Sequence, residues 1–316
     1  MRKHWIVPCL ALGLIGVCSP IARAETGRTA LPGTVNYVEG QASIDGRGLS
    51  EKQDGNTRLN QNQTVTTADG KVELLLSPGV FVREGSNSEI RLVSGRLVDP
   101  AIEVVRGEAM VEVDAKLKDA QVSVLEHGAT ASILKEGLYA FNSDQNSVKV
   151  VDGKLRVDEN GQEKELGKGK EVTLNGEPLK SVSFNRKSED DLYRWSSVRS
   201  GYLAEANGST AQNIYAGYGP YWGSGWYWNP YFTAWSWLPG DGFFYSPFGY
   251  PFFSPGYAIY SPYRFGVRPG FRTGFRGGFA NRGAAVRGSS ARGFSPRAGG
   301  DFRGGGFHGG GFHGRR

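Results

Sequence analysis

Few residues in this sequence carry chemistry by type and spacing. Ser132 and Lys135, in "SILK", hold the Ser-x-x-Lys interval with which penicillin-recognising enzymes pair a nucleophile and its base. That pairing needs both side chains on one helix face. Here the two residues lie in an alternating, turn-bounded segment, where an odd separation sends them to opposite faces of a strand, so the interval is a coincidence. Glu112 and Asp114 have the even separation that puts two carboxylates on one strand face, as general acid–base hydrolysis would require. With Val111 and Val113 turned inward, the expected reading of the pair is a solvated outer face. His127 has no second imidazole or cysteine near it in the chain to complete a zinc site, and beside Gly128 it reads as a turn residue. His308 and His313, in "GGGFHGGGFHGRR", are two potential ligands on a glycine chain and make at most a weak divalent-metal pair. A Walker loop, a nucleophile elbow and His-Glu-x-x-His are all missing from the sequence. The expectation is a protein with no catalytic residues and no cofactor.

Binding chemistry is more plentiful. From Arg264 onward, "RFGVRPGFRTGFRGGFANRGAAVRGSSARGFSPRAGGDFRGGGFHGGGFHGRR" sets eleven arginines against the single acid Asp301, a segment charge of +10. The whole chain carries only +6, so the basic character resides in this RGG-like tail. Its composition predicts disorder over residues 264–316. Arg264, Arg268, Arg272, Arg276, Arg282, Arg287 and Arg292 alternate with phenylalanines, and planar guanidinium forks between rings suit phosphates, carboxylates and stacked faces. Residues 212–263 form a Pro/Gly-punctuated aromatic segment that holds Trp222, Trp226, Trp228, Trp235 and Trp237, five of the seven tryptophans. These rings are candidate platforms for sugar rings or self-association, and the alternative is that they wrap and pack on the rest of the chain. Small hairpins are expected around Asn229-Pro230 and Gly240-Asp241-Gly242.

The elements that must position these groups lie upstream. Residues 33–182 run through short period-two segments such as "KVELLLS", "AIEVVRGEAMVEVD" and "SVKVVDGKLRVDE", divided by Gly, Asn, Asp or Pro. This is an all-β domain, a solenoid or a sandwich. One helix is expected over residues 188–206, where Leu192, Trp195, Val198 and Tyr202 recur on one face. A Ser188–Asp191 capping box would open it and Asn207-Gly208 would stop it. At the start of the chain, Arg2 and Lys3 precede an apolar run from Trp5 to Val17, and Ala22-Arg23-Ala24 follows. That order predicts a secretory signal peptide over residues 1–24 with cleavage after Ala24, hence a periplasmic or secreted product. Both cysteines, Cys9 and Cys18, fall inside it, so no disulfide is expected after cleavage.

In order and spacing, "GTVNYVEGQASI", "LNQNQTVTT", "KVELLLSPGVFVREGSNSEIRL", "IEVVRGEAMVEV", "GLYAF", "VKVVDGKLRV" and "LGKGKEVTL" resemble the FecR domain over residues 34–175. The resemblance implies an extended β-structure without catalytic residues. Asn62 stands where that family usually has glycine, and Leu138 follows Gly137 where it often has threonine. Asparagine tolerates the left-handed conformation, so the first turn is expected to survive. Signalling members carry a sigma-factor-binding region and a membrane span ahead of the domain. Here only Met1 to His4 precede the apolar run, so direct sigma-factor contact is not expected. The order of domain, "LYRWSSVRS" helix and aromatic tail is similar to that of exported bacterial proteins.

The expectation is therefore an exported, non-enzymatic scaffold whose basic aromatic tail binds envelope polyanions, glycans or an envelope protein, with peripheral membrane attachment open. Nucleic acid would be met only outside the cell or in vitro. A ligand-sensing module that relays a signal to a membrane partner is the alternative, and an enclosed pocket in the β domain would be its mark. An envelope hydrolase comes third, marked by carboxylates lining one cleft.

Overall fold

Small residues that tolerate positive φ fall where the strands reverse. Asp45-Gly46, His127-Gly128 and Asn160-Gly161 each place two successive residues at positive φ, as a two-residue type I′ hairpin requires. Asn62, at φ 67, keeps the left-handed turn that the sequence proposed for it. The computed structural model describes residues 30–52, 55–115, 119–175, 178–186 and 189–261. The signal segment, Ser188 and the arginine/histidine tail lie outside the described residues.

Between these turns run β1 (Thr34–Ile44), β2 (Arg47–Gly48), the long β3 (Thr64–Ser77), β4 (Val80–Glu84) and β5 (Glu89–Ser94). They are followed by β6 (Ala101–Arg106), β7 (Glu108–Val113), β8 (Val122–Glu126), β9 (Ala129–Ile133) and β10 (Gly137–Asn142). The domain closes with β11 (Ser147–Asp152), β12 (Lys154–Glu159), β13 (Gln162–Gly167), β14 (Lys170–Thr173) and β15 (Val182–Ser183). All fifteen belong to one curled sheet, not to two sheets packed face to face. β3 is long enough to pair with β4 through its second half, with β5 through its first, and with β1 along most of its length. Neighbouring strands are antiparallel except β6 and β8, which are parallel. The far ends of the strand path meet where β13 contacts β14, so the sheet wraps round a single interior.

Alternation supplies that interior. Val72, Leu74, Val80, Val82, Val111, Val113, Phe141 and Val157 project to the inside and are buried. Their odd-numbered or even-numbered neighbours on β3, β4 and β7 point outward, yet these too are buried: Glu73, Leu75, Phe81, Arg83, Met110 and Glu112. A second layer covers them. It consists of α1 (Asp191–Tyr215), the hairpin β16 (Gly225–Asn229) and β17 (Ala234–Leu238), the smaller pair β18 (Phe243–Tyr245) and β19 (Pro251–Phe253), and a 3₁₀ turn over Pro255–Tyr260. The expected solvated face of Glu112 and Asp114 is corrected by this layer, since both carboxylates are buried beneath it.

Candidate binding surface

The helix that anchors the second layer is longer than its sequence punctuation suggests. Asp190 caps it, its carboxylate accepting the Tyr193 N–H at 2.7 Å, and Asp191 in the first turn pairs with Lys71 at 2.8 Å. Asn207-Gly208 does not stop it. Asn207 is committed to tertiary bonds instead: its side-chain oxygen accepts the Phe253 N–H at 2.7 Å, and its amide donates to the carbonyls of Trp237 at 2.8 Å and Phe253 at 3.0 Å. Termination comes at Gly217 (φ 81), where Gly217 and Tyr218 N–H groups reach back to the Ile214 and Asn213 carbonyls.

Where α1 crosses the outer sheet face, the contact is ionic. Arg83 of β4 donates to Glu73 at 2.9 Å and also bonds Glu112. From the helix, Arg199 donates to Glu73 at 2.9 Å, and Ser200 donates to Glu112 at 2.6 Å. Asn36 of β1 adds a bond to Glu73 at 2.9 Å. Arg199 also lies over the Tyr37 ring at 4.0 Å and near Tyr202 at 4.9 Å. Two guanidinium groups and two carboxylates therefore balance in a region sealed from water. Burial alone would raise the Glu73 carboxyl, but Arg199 and Arg83 overcome it and hold the group below the usual carboxylate range. Asp114 has no charge left to pair with. Burial first, and then neighbouring Glu112, push it well above its usual range. Because every member is enclosed, the network joins helix to sheet and offers no surface to a substrate. Opposite charges inside otherwise apolar strands, Glu73 in "KVELLLS" and Arg83 in "VFVREG", were the sequence signal for it.

The aromatic segment is fastened by asparagines acting as substitute strand edges. Asn36 accepts the Trp235 N–H at 2.8 Å and donates to the Trp235 carbonyl at 3.0 Å, joining residues 199 positions apart. Asn229 accepts the N–H groups of Tyr231 and Phe232 and thereby builds the β16–β17 turn expected at Asn229-Pro230. The second expected turn, at Gly240–Gly242, is present, but the strand after it pairs with β19 and not with β17. Trp235 and Trp237 are 1% exposed, Trp226 is buried edge-on against Phe81, and Trp228 is half-buried against Trp235. The Trp235 indole N–H bonds the Gly55 carbonyl at 3.0 Å. A Cβ on Gly55 would lie 2.6 Å from the Trp228 ring. Four of the five proposed tryptophan platforms are thus packing residues, and only Trp222, 70% exposed, faces outward.

Other aromatics, unremarked in the sequence, join Trp222. At the carboxyl end of α1 and beyond, Tyr218 (79%), Tyr245 (64%) and Tyr260 (69%) are exposed, together with Phe243 and Ile259. Trp222 stacks on Tyr227 at 6.1 Å, while Phe243 meets Tyr245 at 5.7 Å and Tyr257 at 6.3 Å. Tyr227, on which Trp222 stacks, packs in a small cluster with Ala211, Leu238 and Ala258, and Ala258 belongs to the 3₁₀ turn that carries Tyr257, Ile259 and Tyr260. The Tyr221 hydroxyl donates to the carbonyls of Pro239 and Gly240 at 2.8 and 2.6 Å.

The remaining sequence candidates stay apart. His127 sits in its β8–β9 turn with Nε2 2.8 Å from the Ser143 carbonyl. Ser132 is on β9 and Lys135 lies beyond its end. Among the described residues, no group of three or more His, Cys, Asp or Glu side chains is placed to hold a metal ion. Two depressions on the β domain, one beside Asp45, Arg47 and Arg58 and one beside Ser132, Arg156 and Glu163, are open to solvent.

No family model and no curated protein matches this chain. Two solved structures of a candidate anti-sigma factor from Parabacteroides distasonis are similar to it, at 17% and 16% identity, each with a TM-score of 0.33. Each alignment covers 43% of this chain and 63% of the other, so the chain spans less than two thirds of the structures it matches.

Proposed function

We propose that this chain is an exported, non-enzymatic FecR-like protein of the bacterial envelope, a rigid β platform that presents a basic aromatic tail to anionic envelope polymers. The observation that carries this reading is the separation of charge. The docked layer from residue 216 to 261 contains one charged side chain, Asp241, whereas residues 264–316 carry +10. Recognition chemistry thus concentrates at the carboxyl end of the chain, whereas residues 1–263 together carry −4. A sensing module would call for an enclosed ligand site, and the open depressions favour it less.

The test is retention of the full chain on immobilised polyphosphate and on an anionic glycan. Attraction by a solvated basic tail is screened, because the Debye length contracts from about 10 Å at 0.1 M salt to about 3 Å at 1 M. Binding is expected at low salt, lost at high salt, and lost in a chain ending at Tyr263. Equal retention of that shortened chain with the same salt dependence would refute the reading.

A further inference from the structure

We propose that the exposed aromatic surface at the carboxyl end of α1 is a membrane-interface contact that seats in the headgroup layer of an anionic bilayer. The inference rests on the polyanion-binding reading and names lipid phosphate as the polyanion.

The first support is the character of the surface. Tyr218, Trp222, Phe243, Tyr245, Ile259 and Tyr260 are exposed on a docked layer that buries Trp226, Trp235, Trp237, Phe252 and Phe253. Exposed aromatics that cluster in this way mark interaction sites, since a monomer in water gains nothing from them. Tyrosine and tryptophan combine an apolar body with a polar tip, and that amphipathic shape favours the boundary between acyl chains and headgroups. Rings in this surface are held by packing against one another, so little side-chain freedom remains to be lost on contact.

The second support is electrostatic. An acidic rim would be repelled by lipid phosphates and expensive to desolvate, and Asp241 is the only charged residue between residues 216 and 261. The chain then turns basic three residues after Ser261, with eleven arginines. An aromatic contact followed directly by a polybasic segment supplies the two separate signals that stable peripheral anchoring needs. This complementarity decides among occupants. A second copy of the chain would add another segment of +10 to the complex, and a neutral glycan would leave the arginines without a counterpart.

The experiment uses the full chain with vesicles of phosphatidylcholine, with and without phosphatidylglycerol. Bromine-labelled acyl chains quench any indole that reaches the interface. Trp222 is the one strongly exposed tryptophan among the described residues, so its contribution is isolated by comparison with Trp222→Phe. Binding to the anionic vesicles is expected, with quenching that disappears in Trp222→Phe. The triple variant Trp222→Ser/Tyr245→Ser/Tyr260→Ser, confined to exposed positions and checked by near-ultraviolet circular dichroism, is expected to bind about tenfold more weakly, a loss of about 1.4 kcal/mol. Vesicle binding without Trp222-dependent quenching, or full binding by the triple variant, overturns the inference and leaves polyanion recognition standing. Retention on polyphosphate without vesicle binding does the same. Binding to neither overturns both readings.

Discussion

Arg199→Met tests the ionic joint between helix and sheet most directly. Arg199 is 4% exposed, bonds Glu73 at 2.9 Å and lies over the Tyr37 ring. Its removal leaves Glu73 sharing Arg83 with Glu112, two buried carboxylates against one guanidinium. Removing one partner of a buried ion pair costs about 3–5 kcal/mol, and the lost ring contact is contained in that range because the terms are not additive. For a unit of this size each kcal/mol moves the midpoint by about 2–4 °C, so the melting temperature should fall by about 6–20 °C. The double variant Glu73→Leu/Arg199→Met restores one-to-one pairing of Arg83 with Glu112 and is expected to recover at least about 2 kcal/mol. Acidity adds a sign. The folded Glu73 carboxyl lies below its ordinary value of 4.5, so its contribution is present above that pH and is lost as pH falls through the folded value. Arg199→Met weakens the depression, so its penalty should shrink below about pH 4. Urea denaturation followed by tryptophan fluorescence at several pH values measures all three quantities. A penalty under about 1 kcal/mol that does not vary with pH would refute the role given to the network.

Three further outcomes are expected. Burial raises the Glu126 carboxyl from 4.5 to about 8, and neither oxygen has a hydrogen-bond partner among the described residues. The folded state therefore favours the neutral acid, and wild-type stability should decline between about pH 4.5 and 8 by about 3–5 kcal/mol relative to Glu126→Gln, as denaturant midpoints would report; parallel pH profiles would count against this. Asn207→Ala strands the Phe253 N–H and two carbonyls beneath the aromatic layer and should cost about 1–3 kcal/mol, while Asn207→Asp keeps the acceptor and loses both donated bonds. Limited proteolysis should leave a fragment spanning about residues 30–261, because the aromatic layer shares the core of the β domain, and early cleavage within residues 216–250 would contradict that packing.

Local rules carried the reading of the β domain. Period-two alternation and residues able to hold positive φ are properties of a few neighbouring positions, so strand after strand between residues 34 and 183 could be placed, and so could the Asn62, His127-Gly128 and Asn229-Pro230 turns. The same locality explains the errors. A helix-stop signal at Asn207-Gly208 was overruled because the asparagine side chain found partners on β17 and β19. Glu112 and Asp114 looked solvent-facing because alternation tells one face of a strand from the other and does not reveal what will cover the second. That cover comes from residues more than 80 positions later in the chain, as the Ser200–Glu112 bond shows.

By itself, the sequence determined the all-β class, the single helix, the positions of most turns and the charge division that leaves the arginines at the carboxyl end. Tertiary structure alone decided which aromatic rings are core and which are surface. Trp222, Trp226, Trp228, Trp235 and Trp237 are equivalent in type and lie within sixteen positions of one another, yet only Trp222 faces solvent. The division was made by Asn36, Gly55 and Phe81, remote in sequence, which supply the edge, the gap and the ring against which the other tryptophans close. Burial is a property of the partner surface as much as of the side chain, and that surface exists only once the sheet has formed.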